Sequence, residues 1–159
     1  MPNLGGQVGF GVTGIGYHGG VSEEQLRVIR EVWSTVGKVV IVRDDQLDAV
    51  SSISGTGPAY FYYFAEQLTA AAAELGFTPE QSRLLAEQTF VGAAAVMQRS
   101  GGSSRDLLRY ITNPAGTFIR AVREMANHDL KGMLVTAASA TMVRAKEIAE
   151  EAESDSRAL

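Results

Sequence analysis

The sequence contains no cysteine, a single tryptophan, four prolines and two histidines in 159 residues. Without cysteine there is no disulfide, no thiolate metal site and no cysteine nucleophile. His18 and His128 stand far apart, and neither has a partner at ligand spacing. No HExxH or similar carboxylate–histidine spacing occurs, so no metal is expected, and both histidines read as surface or capping residues. Basic residues are in the minority, 14 Lys and Arg against 18 Asp and Glu, a formal charge of −4. That balance argues against a nucleic-acid partner. Long uninterrupted apolar runs are also missing. The most apolar segment, 58–75, carries Glu66, Gln67 and Glu74, which makes it a buried helix and not a membrane span. Met1-Pro2-Asn3-Leu4-Gly5-Gly6 has neither the basic region nor the apolar stretch of a signal peptide, so a cytoplasmic location is expected.

What is present is globular in character, 45% hydrophobic and 20% charged, enough apolar surface to bury a core. Two textures divide the chain. Residues 1–43 are rich in glycine and β-branched residues, whereas 44–153 are rich in alanine and read as nearly continuous helix, with 154–159 a polar tail. Loose alternation over 7–17, with Val8, Phe10 and Val12 on one parity, predicts a short strand. Ser22-Glu23-Glu24-Gln25 is a capping box that opens a helix with the apolar stripe Leu26, Ile29, Val32, Trp33 and Val36. Gly37 is the expected residue past its end, and the valine-rich run 38–42 a buried strand. This β-α-β order is the tail of an α/β layer.

In the second part a short helix carries Leu47, Val50 and Ile53, and Ser54-Gly55-Thr56-Gly57-Pro58 is expected to break it. A long helix follows to Leu75, stopped by Gly76. Thr78-Pro79-Glu80-Gln81 starts the next, which reaches about Arg99. Helices over 104–111 and 117–126, and a last one capped by Asp129 and running to about Ala152, complete the pattern. The fold class is therefore mainly α, a helical bundle after a β-α-β remnant. The 58–75 helix is apolar nearly all round, with Tyr60, Phe61, Tyr62, Tyr63, Phe64, Leu68 and the alanines Ala70 to Ala73. Such a helix needs cover on every side, which predicts an isologous homodimer in preference to a self-sufficient monomeric bundle.

Two overlapping G-x-G-x-x-G matches, at Gly9-Gly11-Gly14 and Gly14-Gly16-Gly19, lack the strand before and the helix at the glycines that a dinucleotide site requires, and are rejected. Ser51, Ser52 and Ser54 have no histidine base near them in sequence, and Asp44, Asp45 and Asp48 read as the acidic first turn of a helix. The turns Ser54-Gly55-Thr56-Gly57-Pro58 and Asn113-Pro114-Ala115-Gly116-Thr117 each precede a helix. Each is expected to offer free amides and small polar side chains to a carboxylate or phosphate, although ordinary capping would use the same residues. No acid, base or nucleophile set accompanies them, a pattern that fits chemistry carried by a bound cofactor.

The run Ser54-Gly55-Thr56-Gly57-Pro58-Ala59-Tyr60 resembles the S-G-[ST]-G-P-A-Y signature of the pyrroline-5-carboxylate reductases, which reduce pyrroline-5-carboxylate to proline with NADPH or NADH. Met1-Pro2-Asn3, Val8-Gly9-Phe10-Gly11-Val12-Thr13, Val21-Ser22-Glu23-Glu24, Val36-Gly37-Lys38-Val39, Leu47-Asp48-Ala49-Val50 and the helix from Thr78 to Gly92-Ala93-Ala94 fit the family in the same order, so the resemblance covers residues 1 to about 150. It implies that 1–43 is the end of a Rossmann-type domain and 44–153 an interlocked helical dimerisation domain. It also implies a cyclic imino-acid substrate near Ser54, Gly55, Thr56, Gly57, Asn113, Ala115, Gly116 and Thr117, a cofactor near Asn3, and a homodimer or higher oligomer.

The sequence departs from the family in two ways. The glycine fingerprint of the family's nucleotide-binding domain is not in this chain, so no tight cofactor binding and no reductase activity are expected of it alone. The family's S-P-G-G-x-T substrate turn reads Asn113-Pro114-Ala115-Gly116-Thr117-Phe118, with Phe118, which cannot donate a hydrogen bond, in place of the substrate-contacting threonine. Two other readings follow from these departures: a non-catalytic dimerisation module, and a reductase altered for a different cyclic imine.

Overall fold

The computed structural model describes residues 1–112 and 116–157. Contacts divide the chain into two units, Met1–Tyr60 with Leu134–Leu159, and Phe61–Met133. The boundary expected at 43/44 lies inside the first unit.

In the first unit, a 3₁₀ turn over Leu4–Val8 ends at Gly9, which takes a left-handed conformation. Strand β1 follows over Gly11–Ile15, shorter and later than the alternation predicts, because the 3₁₀ turn takes up its first residues. Helix α1, Glu23–Ser34, opens with the expected reciprocal cap. The Ser22 hydroxyl accepts the Gln25 amide (3.2 Å), and Gln25 Oε1 accepts the Ser22 amide (2.8 Å). Of its stripe only Leu26 is buried, while Ile29, Val32 and Trp33 stay at least a third exposed.

Helix α1 hands over to strand β2, Gly37–Ile41, which pairs in parallel with β1 from Gly11↔Gly37 to Ile15↔Ile41. The expected role of Gly37 is corrected here. The helix ends at Thr35 in a right-handed conformation, and Gly37 is the first residue of β2. A Cβ there would lie 2.0 Å from the Gly11 carbonyl oxygen, so a main-chain approach across the sheet requires the glycine. Helix α2, Leu47–Val50, packs on this layer where two more glycines make room. A Cβ on Gly14 would lie 2.5 Å from Val50 Cγ1, and one on Gly16 would lie 2.9 Å from Leu47 Cδ1.

Helix α3, Gly57–Glu74, ends as expected at Gly76. The Phe77 amide reaches the Ala72 carbonyl and the Gly76 amide the Ala73 carbonyl, a Schellman closure around a left-handed glycine. Helix α4, Pro79–Ser100, has the predicted Thr78 cap, Pro79 in the first turn, and Gly101 in the left-handed conformation at its end. Short helix α5, Ser104–Ile111, is capped by Ser103, and α6 spans Phe118–Asn127. In the second unit Phe90 of α4 meets Phe61 and Phe64 of α3 edge to face, with centroids 6.5 and 5.7 Å apart. Among that unit's described residues only Ser82 and Ala86 are buried.

The last helix, α7, runs over Leu130–Arg157 and so takes in most of the stretch expected as a tail. Asp129, at φ 44°, accepts the Gly132 amide at its start (3.1 Å). Farther along, the hydrogen bonds that the Arg144 guanidinium donates to Glu151 and then Glu147 hold it above its ordinary pKa, but the cluster is exposed and adds little stability. No helix among the described residues is long and apolar enough to cross a membrane.

Candidate functional site

The segment 54–58 interrupts the helix at one residue. Helix α2 passes into one π-helical turn, Ser51–Gly55, and after a bend at Thr56, itself in a right-handed helical conformation, α3 begins at Gly57. The cause lies in the sequence. Proline has no amide hydrogen, so Pro58 leaves the Ser54 carbonyl, four residues back, without an α-helical donor, and its ring crowds that carbonyl. The Thr56 amide bonds the Ser51 carbonyl five residues back (2.9 Å), not that of Ser52, and the turn widens.

Two side chains supply the donors that this geometry withdraws. Asn3 Nδ2 donates to the Ser54 carbonyl (3.0 Å), and the Tyr60 hydroxyl donates to the Ser52 carbonyl (2.9 Å). Asn3 Oδ1 also accepts the Val12 amide of β1 (3.0 Å), so one side chain joins the strand to the turn. The small hydroxyls point inward as well. Ser54 Oγ donates to the Val50 carbonyl (3.0 Å), Thr56 Oγ1 to the Ser51 carbonyl (3.3 Å), and buried Ser52 Oγ to the Ala49 carbonyl (3.0 Å). With their protons so placed, the Ser54 and Thr56 oxygens keep lone pairs that can accept an N–H from a ligand. Gly57 is buried, although nothing outside its own helix lies within 4 Å of where its Cβ would be.

The structure thus brings Asn3 and Ser54 together, with Gly55, Thr56 and Gly57 in the same turn. Gly116 and Thr117 belong to the second unit. Asn113 and Ala115, with Pro114, lie outside the described residues. Thr117 precedes α6 but is itself in a helical conformation, and its hydroxyl makes no cap bond. Ser22, Thr78 and Ser103 each accept the amide three residues on. The start of α6 therefore leaves first-turn amides without a side-chain acceptor from the N-cap, the condition for receiving an anion. Phe118, its first residue, is exposed.

Sequence reasoning missed Tyr60 as a site residue and the use of Asn3 as a brace. Pro58 held the signal for the first, since a proline inside a helix obliges some other donor to meet Ser54 or its neighbours. The second is a contact across 51 positions that no local pattern reports.

The two glycine fingerprints do not fit a dinucleotide. Gly11 and Gly14 lie within β1, and the space beside Gly11, Gly14 and Gly16 is filled by Gly6, Val50 and Leu47. No helix opens on them, and the next helix begins with Glu23 and Glu24, which repel phosphate. His18 pairs with Asp44 and His128 with Glu124, each at 3.3 Å on the surface. Among the described residues no cluster of three or more His, Asp or Glu is placed to hold a metal.

Residues 44–148 match the family profile described as pyrroline-5-carboxylate reductase dimerisation. The chain is 34% identical to the pyrroline-5-carboxylate reductase of Corynebacterium melassecola, over 93% of this chain and 55% of that protein. It is 31% identical to the Glycine max enzyme, over 93% and 54%. Among solved structures, the Coxiella burnetii pyrroline-5-carboxylate reductase superposes with a TM-score of 0.85 at 34% identity, over 92% of this chain and 55% of that one. The Plasmodium falciparum pyrroline carboxylate reductase, solved with NADP bound, gives 0.74 at 25%, over 92% and 60%. The chain spans about half the length of the curated relatives it matches.

Proposed function

The chain belongs to the pyrroline-5-carboxylate reductase family, through that family's dimerisation region, and from this premise we propose that it is the dimerising, substrate-binding part of such a reductase. The substrate is a small cyclic imino acid of the pyrroline-5-carboxylate class, and the working assembly is a cytoplasmic homodimer. In the second unit, the uncapped first turn of α6 suits Gly116 and Thr117 to a carboxylate, a role in which Asn113 and Ala115 are proposed to share. In the first unit, Ser54, Gly55, Thr56 and Gly57 contact the imino acid, where the hydroxyl oxygens of Ser54 and Thr56 accept the N–H of its protonated, iminium form. A nicotinamide nucleotide, NADPH or NADH, supplies hydride when bound. The described residues offer its pyrophosphate no cradle, so this chain's own part is to bind and orient the imino acid.

One observation carries this reading. Within the matched region, Phe61, Tyr62 and Tyr63 of α3 are 64%, 63% and 63% exposed. Consecutive helical residues point about 100° apart, so the exposed aromatics face several directions at once. Three rings of about 200 Å² each leave roughly 400 Å² to be covered, worth up to about 10 kcal/mol if fully buried. A unit in which Ser82 and Ala86 are the only buried residues among those described cannot supply that cover from within.

Sedimentation equilibrium and a proline titration followed by amide NMR test the proposal together. The expected result is a mass twice 17.0 kDa, with proline-dependent shifts at Gly55, Gly57, Gly116 and Thr117. A monomer whose spectrum ignores proline would overturn it.

A further inference from the structure

The π turn of Ser51–Gly55 is held from outside by two donors that no capping or packing rule requires. A π turn is a rare and poorly bonded form of helix. Here the ordinary alternative is closed, because Pro58 cannot donate to Ser54 and the Thr56 amide is engaged with Ser51. The Asn3 amide and the Tyr60 hydroxyl meet the carbonyls of Ser54 and Ser52 at 3.0 and 2.9 Å, both in part-buried surroundings. Loss of either donor leaves a part-buried carbonyl short of a partner, which favours a turn that rearranges. Asn3 does more than donate. Through the Val12 amide it fixes the turn to β1, so the turn takes its position from the sheet.

We infer that Asn3 and Tyr60 are positioning residues, a clamp that keeps the 54–57 backbone and the Ser54 and Thr56 hydroxyls in one preformed arrangement for the imino acid. The inference rests on the substrate reading given above. A ligand that meets main chain and hydroxyl oxygens gains most when these are already in place, since ordering them on binding would cost affinity.

The test uses the full chain and two conservative variants. Tyr60→Phe removes only the hydroxyl donor. Asn3→Asp keeps the acceptor for the Val12 amide and removes the donor to Ser54. Hydrogen exchange at the Thr56 amide reads the turn directly, and exchange at the Thr13 and Val40 amides of the β1–β2 ladder reads general destabilisation. In each variant the Thr56 amide should exchange about tenfold faster with the ladder unchanged, and L-proline should bind about fivefold more weakly. Unchanged Thr56 exchange in Tyr60→Phe overturns the clamp, as does an acceleration shared equally by Thr13 and Val40. Faster exchange with undiminished proline affinity overturns the positioning role. Where Asn3→Asp fails to fold, Tyr60→Phe decides alone. If the unmodified protein shows no response to proline, the substrate reading fails and the positioning role with it, while Thr56 exchange still decides whether the two donors hold the turn.

Discussion

Replacing Gly14 by alanine tests how tightly β1 is packed against α2. The added Cβ would sit 2.5 Å from Val50 Cγ1, 3.1 Å from Cγ2 and 3.2 Å from Cβ, so it meets a whole valine side chain. Valine in a helix has one dominant rotamer and cannot swing aside. Such overpacking costs about 1–3 kcal/mol. Gly14 does not have a positive φ, so alanine adds no backbone strain and recovers about 0.5–1 kcal/mol by restricting the unfolded chain. The expected net loss for Gly14→Ala is about 1–2 kcal/mol. Val50→Ala removes two methyl groups at a half-buried position and should cost about 1 kcal/mol. In the double variant the new methyl refills the space the valine left, so the loss should fall short of the sum by about 1–2 kcal/mol. Urea unfolding reads these values from the midpoints at unchanged slope, with protein concentration held constant because assembly adds to apparent stability. Losses that add to within about 0.5 kcal/mol would show that the two sites do not touch, and would refute the packing argument.

The caps make a paired prediction. Thr78→Ala, which loses the bond from the Gln81 amide, should cost about 1 kcal/mol, whereas Thr117→Ala, with no cap bond to lose, should cost under about 0.3 kcal/mol. Equal losses in thermal unfolding would contradict the geometry at α6. Phe118→Thr restores a hydroxyl where the substrate carboxylate is proposed to sit, and should tighten binding of proline-like acids about fivefold by calorimetry. An unchanged affinity would count against that placement.

Much of the fold was legible because its signals are local. The Ser22 and Thr78 capping boxes and the Gly76 stop depend on residues within one or two turns, and each is found where the pattern puts it. The β-α-β order was also readable, from valine content and helix length. The readings that went astray involve glycine and proline, whose effect depends on what lies opposite. Gly37 reads as a helix stop because glycine commonly ends helices, but it opens a strand because Gly11 lies across from it. Gly55, Gly57 and Pro58 read as a plain break; the chain bends only at Thr56 and is helical on both sides of it, where Asn3 and Tyr60 bond the carbonyls this stretch disrupts. The stretch 7–17 reads as a strand, but its first residues belong to the 3₁₀ turn over Leu4–Val8 that Gly9 closes.

The widened turn also sets the phase of the helix. Residues eight apart on an unbroken α-helix are rotated by about 80° from one another. One extra residue in a single turn reduces that offset to about 20°, which brings Tyr60 back over Ser52 on the same side. Helical side chains lean toward the N-terminus, so the phenol then spans the distance to the Ser52 carbonyl. Removing one residue from 53–55 would leave seven residues on a plain α-helix, again an offset of about 20°, so Tyr60 would stay on the side of Ser52. A segment built this way absorbs one residue without turning the helix that follows, so what the extra residue adds is the widened turn and its carbonyls, not the direction of Tyr60.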